Sequence, residues 1–226
     1  VRLAQEGKIQ AIATCPITKT AMKLAGSRFH GHTELIAHQT KTKEYAMMLA
    51  GDSLKVVLVT IHIPIDRVPS SLSIENIVKT IRITYTALKE RFGIRSPRIA
   101  VAGLNPHAGE DDMFGNEEST LIGPAVNRTL DEGINVTGPL PPDTVFHKAV
   151  NKKFDAVICM YHDQGLIPFK LVHFKDGVNT TLGLPIIRTS VDHGTAYDIA
   201  WKGQADPTSL IEAVKMAAFQ AGQAKE

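Results

Sequence analysis

Cysteine is scarce, with two in 226 residues. Cys15 and Cys159 both stand in apolar runs and read as buried thiols, which excludes the disulfide framework of a small secreted domain. An excess of one charge is also lacking. Lys plus Arg number 25 against 23 Asp plus Glu, a formal net charge of +2, and no basic stripe interleaved with aromatics offers a surface to nucleic acid. Long apolar runs are missing as well. The longest stretches, such as residues 55–65, meet a His or Thr within about ten residues, far short of the roughly 18 to 20 that cross a bilayer. No charged, apolar and small-residue leader opens the chain, so the expected compartment is the cytoplasm, with no membrane and no nucleic acid as partner. Neither GxGxxG nor GxxxxGK[ST] occurs, so any nucleotide would need another cradle.

What is present is globular material, 43% hydrophobic and 21% charged, enough to bury a core in one large domain or two small ones. Residues 1–7 read as the last turns of a helix stopped by Gly7 with no cap before it, which points to a piece of a longer chain. Short apolar or β-branched runs at 9–15, 54–61, 98–104, 155–161 and 186–191 are strand candidates. The clearest helix spans 73–92, where Ile74, Ile77, Val78, Ile81, Tyr85 and Leu88 fall on one face and Gly93 supplies the stop. Weaker helices are expected at 19–25, 33–45, 117–132 and 207–223. Alternating strands and helices imply an α/β fold with a largely parallel sheet flanked by helices.

In such sheets the ligand crevice lies beyond the carboxyl ends of the strands. Three of the nine histidines stand just there: His62 after 58–61, His107 after 102–106 and His162 after 158–161. Their spacing matches no zinc-finger or metalloprotease pattern, so only the fold could gather them. A single loop histidine is ordinarily a surface or hydrogen-bonding group; three at equivalent places, beside Glu110 and Asp163, make a divalent metal an equal alternative. Gly31-His32-Thr33-Glu34 precedes a helix that Thr33 can cap, and the free amides there favour an anion, although a plain cap explains these four residues as well. Lys170, Asn179 and Arg188 lie in or beside apolar runs and suggest an anionic ligand, with a structural ion pair as the rival reading of each. The stretch 191–198 is a Gly-containing turn that could take a pyrophosphate or be an ordinary connection.

Taken together, CPITK at 15–19, GHTE at 31–34, GLNPHAGE at 103–110, GPLPPDT at 138–144, MYHDQG at 160–165 and LGLPIIRTSVDHGTA at 182–196 resemble the 4-hydroxythreonine-4-phosphate dehydrogenase (PdxA) family. The resemblance covers essentially the whole chain, and six ordered motifs are specific as a set. It implies the isocitrate/isopropylmalate dehydrogenase-like fold, two subdomains with a cleft, and residues 1–226 as the C-terminal two-thirds of a member, without the family's Gly-rich opening motif. It implies a homodimer with a shared active site in pyridoxal phosphate biosynthesis.

Position by position, the resemblance makes His62, His107 and His162 the metal ligands, with contributions from both subunits. Zinc is the expected ion, and cobalt or magnesium are the alternatives. His32, Thr33, Lys170, Asn179 and Arg188 become the substrate contacts. Asp143 and Asp163, with Lys170, become candidates for proton transfer near the metal; NAD, or NADP, is the coenzyme the resemblance implies, and His193, Gly194 and Asp198 of the 191–198 turn are the candidates for holding it. The implied reaction oxidises 4-phosphooxy-L-threonine to a β-keto acid that decarboxylates to 3-amino-2-oxopropyl phosphate. The rival readings are a D-threonate or D-erythronate 4-phosphate dehydrogenase of the same family, and a non-catalytic module binding a metal and a phosphorylated metabolite.

Overall fold

The computed structural model describes residues 1–29 and 31–223. Eight strands form one sheet: β1 (Ala11–Thr14), β2 (Ala46–Ala50), β3 (Lys55–Leu58), β4 (Ile99–Ala102), β5 (Val136–Leu140), β6 (Ala156–Cys159), β7 (Val178–Leu182) and β8 (Ile187–Ser190), in the order β1-β8-β7-β2-β3-β6-β4-β5. The helices are α1 (Arg2–Gln5), α2 (Lys19–Leu24), α3 (His32–Gln39), α4 (Val68–Ser71), α5 (Ile74–Glu90), α6 (Gly123–Asp131), α7 (Pro142–Val150), α8 (His162–Val172) and α9 (Thr208–Gln223). The expected α/β class is therefore present. No helix among the described residues is long and apolar enough to cross a membrane.

The sheet is mixed rather than largely parallel. β3, β6, β4 and β5 run parallel to one another, as do β1 and β8. The β2–β3, β2–β7 and β7–β8 pairs are antiparallel. The cause is connection length. Only Gly51 to Leu54 separates β2 from β3, closed by the Gly51 amide on the Leu54 carbonyl at 2.9 Å, and so short a link can only reverse the chain. The β7–β8 link is equally tight, and Gly183 takes φ +84 with the Glu44 carbonyl 2.6 Å from where a Cβ would lie.

Helix α5 fulfils the sequence pattern. Ile77, Val78, Ile81 and Leu88 are buried against Val57, Val101 and Ile158 of the sheet. Its start is fixed reciprocally: the Asn76 amide donates to Ser73 Oγ at 3.2 Å, and the Ser73 amide to Asn76 Oδ1 at 3.0 Å. The opposite sheet face packs Leu49, Val56, Ala100 and Val157 against Val145 and Ala149 of α7 and Phe169 of α8. β3, β4 and β6 are thus covered on both faces, which is why they read as unbroken apolar runs.

Several expectations need correction. The helix expected over 33–45 ends at Gln39, and the chain turns into β2, a strand whose Ala-Met-Met-Leu-Ala sequence lacks the β-branched signature. Thr33 does not cap that helix; Gly31 is the N-cap residue and makes no side-chain cap bond. The segment 117–132 is a π-helical turn, Glu118–Ile122, running into α6. Cys159 is buried as expected, its thiol pKa pushed up by burial, but Cys15 is exposed because it follows the last residue of edge strand β1.

Ser73→Ala should lower unfolding free energy by about 1 kcal/mol, since it removes one half of the cap. Leu88→Ala, at a fully buried position, should cost about 2–5 kcal/mol. Urea denaturation of the two variants against the parent checks both.

Candidate functional site

Because β3, β6, β4 and β5 are parallel, their carboxyl ends share one edge of the sheet. His62, His162, His107 and Asp143 come after those four ends in the chain. The His62 and His162 rings lie side by side, centroids 5.5 Å apart at 42°. Asp163 Oδ1 stands 2.6 Å from His162 Nδ1, which orients the ring and leaves its Nε2 available. His62 has its pKa lowered, first by burial and then by His162 and Lys19, so it is held as a neutral imidazole.

His107 is elsewhere within this chain. It lines a separate cavity of about 440 Å³ with Asn105, Pro142, Asp143, Tyr161 and Gln164, and its ring packs on Phe114 with centroids 6.3 Å apart. Among the described residues, no group of three His, Cys, Asp or Glu side chains could hold a metal ion. A single chain therefore joins two of the three expected ligands. Neutral imidazoles are suited to zinc or cobalt, so the His62–His162 pair fits such an ion as a partial donor set.

Beside His62 opens a cavity of about 420 Å³, lined by Lys19, His32, Thr33, Asn179 and Thr181 among others. Strand register explains the grouping: Asn179 and Thr181 are alternate residues of β7 and so share a face, and both stand opposite residues of β2. Bordering it, Arg188 on β8 is only 5% exposed. Its guanidinium donates to the hydroxyls of Thr14 at 2.8 Å, Thr181 at 3.2 Å and Thr33 at 3.3 Å. Its Nε has no protein partner among the described residues, and none of the ion pairs found there includes it. Burial pushes its pKa down to about 10, so it remains cationic at neutral pH. His32 is lowered by burial and by that same guanidinium. A buried cation held by neutral hydroxyls is costly to keep unless an anion completes it.

Lys170 is engaged differently. Its ammonium pairs with the Asp192 carboxylate and donates to the Asp192 carbonyl at 2.9 Å. Burial raises the Asp192 pKa, against the opposing pull of Lys170. His193 and Gly194 line a further cavity of about 560 Å³ with Thr195, Ala196, Trp201 and Gly203. A Cβ on Gly194 would meet nothing within 4 Å, which leaves open backbone against that space. Asp198 is exposed on the short turn Tyr197–Ile199 and is not among the lining residues.

Comparison with known proteins now bears on this arrangement. The family described as pyridoxal phosphate biosynthetic protein PdxA matches residues 1–217. The chain belongs to the PdxA family. A 4-hydroxythreonine-4-phosphate dehydrogenase of Desulforapulum autotrophicum is 71% identical over 98% of the chain and 65% of that protein. A D-threonate 4-phosphate dehydrogenase of Salmonella typhimurium is 51% identical over 95% of the chain and 65% of that protein. The 4-hydroxythreonine-4-phosphate dehydrogenase structure from Klebsiella pneumoniae superimposes with a TM-score of 0.92 at 49% identity, covering 97% of this chain and 66% of that one. The chain thus spans about 65% of the length of these curated relatives. The isocitrate dehydrogenase-like fold expected of a PdxA member is the one observed.

Sequence reasoning missed Thr14, Thr181 and Asp192, which complete or neutralise the cations of this candidate site. The two threonines are ordinary strand residues, and only pairing places them around Arg188. Asp192 stood just after an apolar run, which was a usable signal. Inorganic phosphate should raise the melting temperature of the protein, and Arg188→Met should abolish that shift while leaving the ligand-free protein as stable or more so. Thermal scans with and without phosphate read both effects, and an undiminished shift in the variant would remove Arg188 from the anion site.

Proposed function

We propose that the protein carrying this chain is a metal-dependent, NAD(P)-dependent dehydrogenase that oxidises 4-phosphooxy-L-threonine to a β-keto acid. Decarboxylation of that acid gives 3-amino-2-oxopropyl phosphate. The observation that carries the reading is the Arg188 guanidinium, buried among three threonine hydroxyls without a carboxylate, two of which, Thr33 and Thr181, line the cavity that His62 also lines. That combination suits a substrate with an anionic group at one end and a metal-binding hydroxyl further along.

When bound, a divalent cation supplies Lewis acidity toward the reacting hydroxyl and a nicotinamide coenzyme supplies the hydride acceptor. His62 and His162 would hold the metal from this chain, and His107 would reach it from a second copy. Arg188 takes the phosphate, fixed in advance by Thr14, Thr33 and Thr181, so little side-chain freedom remains to be lost on binding. His32 and Asn179, in the same cavity wall, orient the substrate. Asp163 holds the His162 ring, and Asp143, beside His107, is the proton acceptor of this reading. Lys170, paired with Asp192, shares its charge there and meets substrate as part of that pair. His193 and Gly194 border the space assigned to the coenzyme.

A homodimer with a shared site is supported by the separation of His107 from the other two histidines. It is also supported by Ile167, Leu171 and Phe174, which are 67%, 87% and 77% exposed on or just after α8, the helix that begins at His162. Large apolar side chains exposed together mark an association surface. The zinc assignment rests on donor type, and the cytoplasmic placement on two cysteines that are both free.

The second reading, oxidation of D-threonate 4-phosphate, is favoured by the Salmonella typhimurium relative and would use the same phosphate and metal groups. Steady-state NADH formation with each substrate separates them: a 100-fold preference in kcat/KM corresponds to about 2.7 kcal/mol of differential transition-state binding. His62→Ala and His162→Ala should each remove bound metal and turnover together, and Arg188→Ala should chiefly raise KM for the phosphorylated substrate. Metal analysis alongside the kinetics checks the pairing, and full NADH formation by a His62→Ala, His162→Ala double variant would end the proposal.

A further inference from the structure

Residues 107–112 all have positive φ, between +42 and +85, although only Gly109 among them lacks a side chain. His107, Ala108, Glu110, Asp111 and Asp112 are therefore in the left-handed region that L residues avoid. A run of this kind persists only when its surroundings fix it from outside. Two buried polar side chains anchor the residues just before this run, 103–105, and neither belongs to the ligand or substrate set.

The first is Glu118, 5% exposed, at the start of the π-helical turn. Its Oε1 accepts from the amides of Leu104 at 2.6 Å and Asn105 at 2.8 Å, and its Oε2 from Asn105 Nδ2 at 2.9 Å. None of the ion pairs found among the described residues includes it, so a buried carboxylate is compensated by loop donors alone. The loop backbone closes tightly on it: a Cβ on Gly103 would lie 2.9 Å from Oε1, and one on Gly109 would lie 2.9 Å from Oε2. The second is Gln164, 7% exposed on α8 two residues beyond His162. Its Nε2 donates to the Gly103 carbonyl and its Oε1 accepts from the Met160 amide, both at 2.7 Å. Gly103 and Met160 are the residues at which the chain leaves β4 and β6.

Glu118 thus grips the His107 loop, and Gln164 fastens the root of that loop to the root of the His162 turn. We propose that Glu118 and Gln164 are positioning residues that fix the His107-bearing loop in register with the turn carrying His162. The proposal rests on the reading of His107 as a metal ligand. Both ends of the Gln164 side-chain amide are consumed in the bridge, so its loss would free the two strand exits from each other.

The test uses Glu118→Ala, Gln164→Ala and the conservative Glu118→Gln in the purified full-length protein. Amide exchange over residues 104–115 should accelerate at least tenfold in Glu118→Ala, with α5 unaffected, and Gln164→Ala should accelerate it at Leu104 and beyond. Cobalt(II) titration, followed by visible absorption, should show affinity reduced 10- to 100-fold and an altered band in both alanine variants. Glu118→Gln keeps one oxygen for the two amides and should recover most of the affinity; with Gln164→Ala it carries the test if Glu118→Ala fails to fold. Unchanged exchange in this loop, or cobalt binding like that of the parent, overturns the proposal. His107→Ala is the separate control: parental cobalt affinity and band in that variant would show that the ligand reading itself had failed, while exchange would still decide whether the clamp exists.

Discussion

Parallel hydrogen bonding of β3, β6, β4 and β5 is the constraint on which the rest of the molecule depends. Parallel strands all end at one edge, so residues 45 or more positions apart in sequence are delivered to a common rim without any local motif. The two-sided burial of β3, β6 and β4 by α5 and α6 on one face and α7 and α8 on the other holds that rim in place. The residues just beyond each strand are then free to carry polar groups, because the cost of ordering the backbone is met by the core beneath it.

The second organising feature is a charge without a counter-charge. Arg188 sits in a strand, buried, with only hydroxyls around it. Other partly buried cations are met by a carboxylate, Arg98 by Asp155 at 3.0 Å and Lys170 by Asp192, or by backbone carbonyls, Arg91 by those of Thr181 and Leu184. Arg188, whose Nε has no partner among the described residues, makes sense when folding leaves a place for an anion to be brought by a ligand. The antiparallel insertion of β2 and β7 contributes here, since it sets Thr181 opposite Met47 and lines Asn179 and Thr181 up along the cavity wall.

Much of this architecture was legible in the chain. Local rules about amphipathic helices and buried strands account for the period of α5 with its Ser73 cap, the apolar runs of β3, β4 and β6, and the histidines beyond them. β2 was not legible, because Ala-Met-Met-Leu-Ala has no β-branched residue and owes its extended form to pairing on both sides. β5 and β7 were obscured likewise, by Gly138 and Pro139 in one and by polar Asn179, Thr180 and Thr181 in the other. α8 was hidden by Pro168 within it.

The order of amino acids alone settled which chemistry is available: imidazoles at strand ends, an arginine and a lysine in apolar surroundings, and the ordered motifs of the PdxA family. Those are properties of neighbouring residues and of their succession along the chain. Folding in three dimensions was needed to decide that His62 meets His162 while His107 does not join them within one chain, that Arg188 is left without a carboxylate, and that Lys170 is paired with Asp192. Such meetings depend on strand register, set by the pairing of β1 with β8, β2 with β7 and β3 with β6 between segments more than a hundred residues apart, and it leaves no mark at the positions it brings together.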